Sequence, residues 1–210
     1  YIGAHRYGGI WTGDNASTWK MLRQNVYHMP SLNMCGFLYS GADTGGFGGN
    51  ASRELLLRWL EVSVFTPLMR NHSAIGTRKQ ECYRFRNTED FKTIISLRYR
   101  LLPYLYSEYM KAALRQDMLI RPLAFDYPED KKAREIEDQL MIGESIMIAP
   151  ILEPGVKGRI VYLPEPMTEV RYNREGFTCM DVGAGERTAM APLNTVVFYI
   201  RQGRLVPVGE

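Results

Sequence analysis

The segment that decides the fold is MCGFLYSGADTGGFGGNAS, residues 34–52. Its first six residues form a short apolar run that ends at turn-forming residues, which predicts a strand buried on both faces. A glycine-rich loop follows at residues 45–50, and Ser52 then supplies a typical N-cap for a helix. A buried strand, a polar loop and a helix in this order are the repeating unit of an α/β fold.

The same alternation continues on both sides of this segment. Upstream, the pattern predicts a helix that ends at Pro30, because proline interrupts helical hydrogen bonding. Downstream, a second apolar strand at residues 64–69 leads into the polar triplet Arg70-Asn71-His72, and a long helix is expected from Thr88. The first part of the chain is therefore predicted to be α/β, with its polar residues just after the strands.

The character of the chain changes near residue 140. Short β-type runs separated by proline and glycine replace the helical periodicity. These runs predict a small antiparallel β-sandwich that follows the α/β part without a linker. We expect the two parts to comprise residues 1–140 and 141–210.

Composition excludes several classes of protein. Of the 210 residues, 45% are hydrophobic, which is ordinary for a globular chain, and the net charge of +3 comes from 26 basic and 23 acidic residues that are mixed along the sequence. No basic stripe predicts a nucleic acid partner, and no apolar run approaches the ~20 residues needed to cross a membrane.

The three cysteines have neither disulfide-framework nor zinc-site spacing, and no signal peptide is visible. These features favour a cytoplasmic protein. Because the chain opens on Tyr1 inside an apparent motif, we expect its natural start to lie upstream.

The first candidate site is Trp11-Thr12-Gly13-Asp14. A carboxylic acid beside an apolar aromatic surface is favoured in its protonated form, so Asp14 is a candidate proton donor. The alternative is that Asp14 or Asn15 caps the next helix, and local sequence alone favours the cap.

Two further candidates follow the predicted strands. Asp43, close to the aromatic face of Phe47, suits the binding of sugar hydroxyls, and an Asx turn that closes the strand is an equal alternative. His72 and its two polar neighbours suit a polyol or an anion, although a lone histidine is more often structural. The glycine loop lacks the lysine of a phosphate-binding loop, and no metal-binding motif occurs, so no cofactor and no metal are expected.

Taken together and in order, these motifs resemble glycoside hydrolase family 31, the α-glucosidase and α-xylosidase family. The resemblance covers residues 1 to about 165, while the remaining residues match only in being β-rich. The matching stretches are Arg6-Tyr7, Trp11-Thr12-Gly13-Asp14, Gly41-Ala42-Asp43-Thr44-Gly45-Gly46-Phe47, Arg70-Asn71-His72, Arg121-Pro122-Leu123, Asp138-Gln139-Leu140-Met141-Ile142-Gly143 and Ala149-Pro150.

The resemblance implies a fold and a set of roles. The family fold is a (β/α)8 TIM barrel followed by β-sandwich domains, so the chain would hold the later portion of the barrel and the first sandwich. By this resemblance Asp14 is the general acid/base, Trp11, Asp43 and Phe47 shape the sugar subsite, and His72 binds sugar hydroxyls. Barrel sites lie at the carboxyl ends of strands, which agrees with the polar residues noted above.

The resemblance also implies that the active site is incomplete in this chain. Retaining glycosidases use two carboxylates about 5–5.5 Å apart, one of them a nucleophile. The family's nucleophile lies in a WxDMNE-type motif upstream of the acid/base, and no such motif occurs among these 210 residues. A whole barrel needs about 250 residues. The remainder of the barrel is therefore an expected partner, from the same parent protein or from another chain.

The function expected from the resemblance is that of part of a retaining α-glucosidase, a glycoside hydrolase that removes terminal α-linked glucose from oligosaccharides. An α-xylosidase is one alternative. Another is a non-catalytic remnant of the same fold, either a carbohydrate-binding module that keeps Trp11, Asp43 and His72 as a sugar surface or a purely structural fragment.

Overall fold

Three parallel strands organise the first part of the chain in the computed structural model, which describes residues 3–210. They are β1 (Ile10–Trp11), β2 (Ser40–Asp43) and β3 (Leu68–Arg70), in the order β1-β2-β3. The register places Trp11 opposite Gly41, and Asp43 opposite Arg70. Each strand is followed by a helix, so the predicted α/β alternation is confirmed.

Three helices cover this sheet: α1 (Trp19–Met34), α2 (Arg53–Ser63) and α3 (Thr88–Arg115). The predicted cap of α2 is confirmed, because the Ser52 hydroxyl accepts a hydrogen bond from the Leu55 N–H at 3.1 Å.

The predicted end of the first helix at Pro30 is wrong. Pro30 lies buried inside α1, which continues to Met34. Proline removes only its own N–H donor, so the helix loses the hydrogen bond to the Val26 carbonyl four residues earlier. The loss of one hydrogen bond does not end the helix, because Leu22, Val26 and Met29 of α1 are buried in the core and this packing stabilises it.

The predicted strand at residues 34–39 is also wrong, since the strand is Ser40–Asp43 and residues 34–39 complete α1 and the following loop. The strand consists of small residues and is fully buried. At Gly41 a Cβ atom would lie 2.0 Å from the Leu68 carbonyl oxygen, so only glycine permits this approach of the two strands. A search for bulky apolar residues overlooks a strand that is buried because it is small.

The second part of the chain contains a six-stranded antiparallel sheet and a separate two-stranded ribbon, in agreement with the predicted β-sandwich. The sheet order is β4-β5-β6-β11-β8-β9, and β7 pairs with β10. The strands are β4 (Ile120–Pro122), β5 (Leu140–Ile142), β6 (Ile146–Ile148), β7 (Gly158–Leu163), β8 (Met167–Asn173), β9 (Gly176–Val182), β10 (Gly185–Met190) and β11 (Val196–Arg201). A short helix, α4 (Leu123–Asp126), follows β4.

Both faces of the six-stranded sheet are buried at β5 and β6, whereas the edge strand β9 is mostly exposed. Ile146 and Phe198 belong to the core shared with the three helices, whereas their neighbours Met147 and Tyr199 pack in a second core with the ribbon. Because side chains alternate along a strand, one sheet serves two cores. The ribbon therefore closes the sandwich, and the helices of the first part cover its other face.

Strand β4 begins shortly after α3 and pairs with β5, so the sheet starts before residue 140. The division of the chain between residues 140 and 141 stays a prediction.

Arg58 of α2 is 1% exposed and joins the two parts. Its guanidinium donates to the Ala191 carbonyl at 2.7 Å and the Val156 carbonyl at 3.1 Å, and it pairs with Glu61 at 2.8 Å. Burial raises the pKa of Glu61 to about 8, against the opposing charge of Arg58.

The described helices also bear on membrane association. None of them, within residues 3–210, combines the length and the apolar character required to cross a bilayer.

Substituting Gly41→Ala should destabilise the protein, because the added methyl group meets backbone that has no freedom to move away. We expect a loss of about 3 kcal/mol or more in the free energy of unfolding, measured by urea titration. Gly183→Ala is the matched control, since a Cβ there meets open space, and it should stay within about 0.5 kcal/mol. An equal effect of the two substitutions would contradict the close approach of β2 and β3.

Candidate active site

Three loops meet at one edge of the parallel sheet, because β1, β2 and β3 run in the same direction and end there. The strand ends are joined by backbone hydrogen bonds. The Thr12 N–H donates to the Gly41 carbonyl at 3.1 Å, and the Thr44 N–H donates to the Arg70 carbonyl at 2.8 Å. All the residues proposed for the site from sequence follow these strands or lie at their ends.

Asp43, at the end of β2, is fully buried and paired with a cation. The Arg70 Nε atom lies 2.5 Å from Oδ1 of Asp43, and the guanidinium carbon lies 5.6 Å from the centre of the Trp11 ring. Arg70 thus links the carboxylate of β2 to the indole of β1. Among the described residues, the Oδ2 atom of Asp43 has no hydrogen-bond partner, although it is buried. The side chain therefore pairs with arginine rather than closing an Asx turn, and its second oxygen is left without a partner among the described residues.

Asp14 stands on the loop after β1, and its side chain is exposed. Gly13 before it has φ 81°, a conformation that favours glycine, and the Asn15 N–H closes the turn on the Gly13 carbonyl at 2.9 Å. The cap of α1 is Thr18, whose hydroxyl accepts from the Met21 N–H at 3.2 Å. Asp14 is consequently not the helix cap, which was the alternative suggested by local sequence.

Phe47 and His72 lie side by side on the loops after β2 and β3. Their ring centres are 5.2 Å apart and the planes are inclined by 32°. The Phe47 N–H donates to the Asn15 carbonyl at 2.7 Å, and the Phe47 carbonyl accepts from the Ala74 N–H at 2.9 Å. The loop after β2 is therefore fastened to both of its neighbours, and it carries an aromatic ring to the same edge as Asp14.

Gln80 is a supporting residue that sequence reasoning missed. It is 3% exposed, and its amide donates to the Thr44 and Gly46 carbonyls, each at 3.1 Å. The backbone carbonyl of Gln80 accepts from the Asn71 side-chain amide at 2.9 Å. Gln80 thereby holds the glycine loop after β2 against the loop after β3. No local sequence pattern indicates this role, because Gln80 lies far in sequence from Thr44 and Gly46, whose carbonyls it bonds.

The arrangement suits a neutral, hydroxyl-rich ligand. An exposed carboxyl group, a half-exposed indole and a second aromatic ring lie at the same sheet edge as a buried carboxylate with an unpartnered oxygen. Sugars present both apolar faces and hydroxyl groups, so they match such a mixed surface. Within residues 3–210, no three histidine, cysteine, aspartate or glutamate side chains are grouped as they would be around a metal ion.

Comparison with known families matches both parts of the chain. Residues 1–108 match the family model described as "Glycosyl hydrolases family 31 TIM-barrel domain". Residues 116–206 match "Glycosyl hydrolase family 31 C-terminal domain".

Curated relatives are similar over the whole chain. "Alpha-glucosidase 2" of Bacillus thermoamyloliquefaciens is 35% identical over 212 residues, which cover 100% of this chain and 26% of that protein. "Lysosomal alpha-glucosidase" of Bos taurus is 33% identical over 231 residues, covering 99% of this chain and 24% of that protein. The chain thus spans about a quarter of the length of these relatives.

Solved structures share the fold. The catalytic subunit of an ER glucosidase II, crystallised with the binding domain of its regulatory subunit, superposes with a TM-score of 0.85 at 30% identity, over 96% of this chain and 22% of that one. A GH31 α-xylosidase from a soil metagenome, crystallised with xylose, gives a TM-score of 0.82 at 30% identity, over 94% and 32% of the two chains.

Replacing Arg70 by methionine should leave the Asp43 carboxylate buried without its cation. Loss of a partner from a fully buried pair costs about 3–5 kcal/mol, and we expect about 2–3 kcal/mol here because the arginine is 41% exposed. In the Arg70→Met background, the further change Asp43→Asn should restore part of the stability. Urea titrations of the two single variants and the double variant measure this coupling, and strictly additive losses would show that the two side chains do not interact.

Proposed function

This chain belongs to glycosyl hydrolase family 31, and we propose that it carries the proton-donating part of a retaining α-glucosidase active site. The observation that carries the proposal is the position of Asp14. Its exposed carboxyl group lies on the loop after β1, at the same sheet edge as the buried Asp43 and the indole of Trp11. Barrel enzymes place their catalytic residues at the carboxyl ends of the strands, so this position suits a proton donor.

In the proposed mechanism Asp14 acts twice. As a carboxylic acid it protonates the leaving glycosidic oxygen while a carboxylate nucleophile attacks the anomeric carbon and forms a glycosyl ester. As a carboxylate it then takes a proton from water, which attacks the ester and releases the sugar with retained configuration. The nucleophile is supplied by the part of the barrel that lies outside these 210 residues.

The sugar subsite is proposed to form around one buried carboxylate, two apolar aromatic rings and a histidine. Asp43 Oδ2, buried and without a partner among the described residues, is suited to accept a hydrogen bond from a sugar hydroxyl. Trp11 and Phe47 provide apolar faces, and His72 beside Phe47 binds a further hydroxyl. We propose terminal α-linked glucose of an oligosaccharide as the substrate. An α-xylosidase is the second candidate, favoured by the comparable superposition on a GH31 α-xylosidase.

The remainder of the barrel is the proposed partner of this chain. Within the described residues, β1 and β3 each pair on one side only, whereas a closed barrel leaves no strand edge unpaired. Alongside β3 runs a groove between the strand and α3, with Pro67, Met69 and Leu102 on its walls. Tyr39 and Tyr106, also on its walls, are 46% and 67% exposed. We propose that the barrel segment preceding this chain covers the groove.

The variant Asp14→Asn removes the proposed proton donor. In the full-length protein we expect kcat/KM for maltose to fall by about 10²- to 10⁴-fold, because the leaving sugar needs a proton. The leaving group of a dinitrophenyl α-glucoside, dinitrophenolate, departs without protonation, so kcat/KM for that substrate should fall far less. Glu175→Gln, an exposed acid on the distant β8–β9 turn, is the matched control and should behave as wild type. Unchanged turnover of maltose by Asp14→Asn would refute the assignment, and a wild-type protein that binds but never cleaves α-glucosides would favour the non-catalytic alternative.

A charge placed in the groove should destabilise the full-length protein if the barrel covers it. Tyr106→Asp replaces a groove side chain, whereas Leu114→Asp alters a side chain on the same helix that is 78% exposed and does not line the groove. We expect Tyr106→Asp to lower the thermal midpoint by several degrees, as for a buried apolar site losing about 2–3 kcal/mol. Leu114→Asp should have little effect. Equal midpoints for the two variants would mean that the groove stays open.

A further inference from the structure

We propose that Asn25, a buried residue of α1, positions the proton donor by holding the turn that carries Asp14. The inference rests on the proposed function, because it gives Asn25 a role in proton donation. Asn25 lies eleven residues after Asp14 and on the opposite side of the helix cap, so it is absent from the motifs that identify the site. Asn25 is a positioning residue, because the contacts that it makes are to the turn and to its own helix.

The turn around Asp14 is held by its neighbour Asn15. Oδ1 of Asn15 accepts a hydrogen bond from the Thr12 hydroxyl at 2.6 Å, and the Asn15 amide returns one to the Thr12 carbonyl at 3.0 Å. These two bonds clamp the residues on either side of Gly13 and Asp14. Since the Asp14 side chain itself is exposed, the position of its carboxyl group follows from the geometry of this turn.

Asn25 fixes the clamp to the helix. Its Nδ2 atom donates to Oδ1 of Asn15 at 2.8 Å and to the Met21 carbonyl at 2.9 Å, so both amide protons are used. Asn15 and Asn25 are 6% and 4% exposed, and a buried donor–acceptor pair is costly to break because the partner left behind stays unsatisfied. The rigid helix α1 therefore determines where the Asp14 turn stands.

Asn15 also holds the loop that contains Phe47. The backbone carbonyl of Asn15 accepts from the Phe47 N–H at 2.7 Å and from the Gly48 N–H at 3.0 Å. A displacement of Asn15 would consequently move Asp14 and the Phe47 loop together. Proton transfer requires the donor within hydrogen-bond reach of the leaving oxygen, so a small displacement of this turn should reduce the rate more than it reduces stability.

A second asparagine of α1 supplies a matched control. Asn33 is 3% exposed and donates to the Met29 carbonyl at 3.3 Å, as Asn25 does to Met21. Its Oδ1 atom accepts from the Leu119 and Ile120 N–H groups at 3.0 and 2.9 Å, on the side of the sandwich. Asn33 thus makes comparable buried hydrogen bonds on the same helix, but these bonds support β4 rather than the Asp14 turn.

The test uses the full-length enzyme and two α-glucosides, maltose and a dinitrophenyl α-glucoside. Asn25→Ala should lower kcat/KM for maltose by about 10- to 100-fold, because its leaving sugar depends on a well-placed acid. For the dinitrophenyl substrate the loss should stay below about 3-fold, because little protonation is needed. Asn33→Ala should lower the thermal midpoint to a similar extent and change the two substrates equally.

Thr12→Val provides a second route to the same result if Asn25→Ala does not fold. The valine keeps the shape of threonine but removes the hydroxyl donor to Asn15, on the other side of the same acceptor. It should reproduce the selective loss on maltose. Equal losses on both substrates, or no loss on either, in whichever of these variants folds would overturn the proposal.

The Asp14→Asn variant separates this inference from the proposed function. If Asp14→Asn loses maltose turnover selectively and the two turn variants do not, Asn25 is structural and the proton donor stands. If Asp14→Asn itself shows no selective loss, Asp14 is not the acid and both proposals fail.

Discussion

The parallel register of β1, β2 and β3 is the constraint on which the rest of the structure depends. It is possible because Gly41 lets the backbone of β2 approach the Leu68 carbonyl more closely than any side chain would allow. Once this register is set, Trp11 stands beside Gly41 and Asp43 stands beside Arg70. The three strand ends then lie at one edge, so loops that are distant in sequence bring an exposed acid, an indole and a buried carboxylate to the same place.

Burial of Asp43 is tolerated because Arg70 neutralises it, and the same guanidinium packs over Trp11. Arg70 thus stabilises the buried carboxylate and also contacts the indole of the proposed ligand surface. The polar support behind the site follows the same logic. Asn25 and Gln80 have buried side-chain amides that donate hydrogen bonds to oxygens of the loops. Asn25 bonds a side-chain amide oxygen, Gln80 bonds two backbone carbonyls, and both residues hold their loops in place. The loops therefore keep the polar surface that binding needs and are held to the rigid helix and strands beneath them.

Much of this organisation could be predicted from sequence, for identifiable reasons. The α/β alternation, the Ser52 cap and the later β-sandwich follow from local periodicity and cap chemistry, and they are confirmed. The position of β2 could not be found in this way, because Ser40, Gly41 and Ala42 are small residues that let the strands approach closely and do not form a hydrophobic run. The passage of α1 through Pro30 depends on the packing of the helix in the core, which local sequence does not show. Asn25 and Gln80 act on loops that only the fold brings near, and single-sequence patterns carry no signal for such pairs.

The proposed catalytic pair is divided between two stretches of polypeptide. The proposed proton donor Asp14 lies in this chain, and the nucleophile is proposed to lie in the rest of the barrel, which would cover the open strand edges. The most direct test is covalent trapping of the full-length enzyme with 5-fluoro-α-glucosyl fluoride, which loses fluoride and leaves the sugar esterified to the nucleophile. Peptide mass spectrometry then locates the ester. We expect the sugar on an aspartate or glutamate outside residues 1–210, and a sugar attached to Asp14, Asp43 or any other carboxylate of this chain would contradict the proposed division.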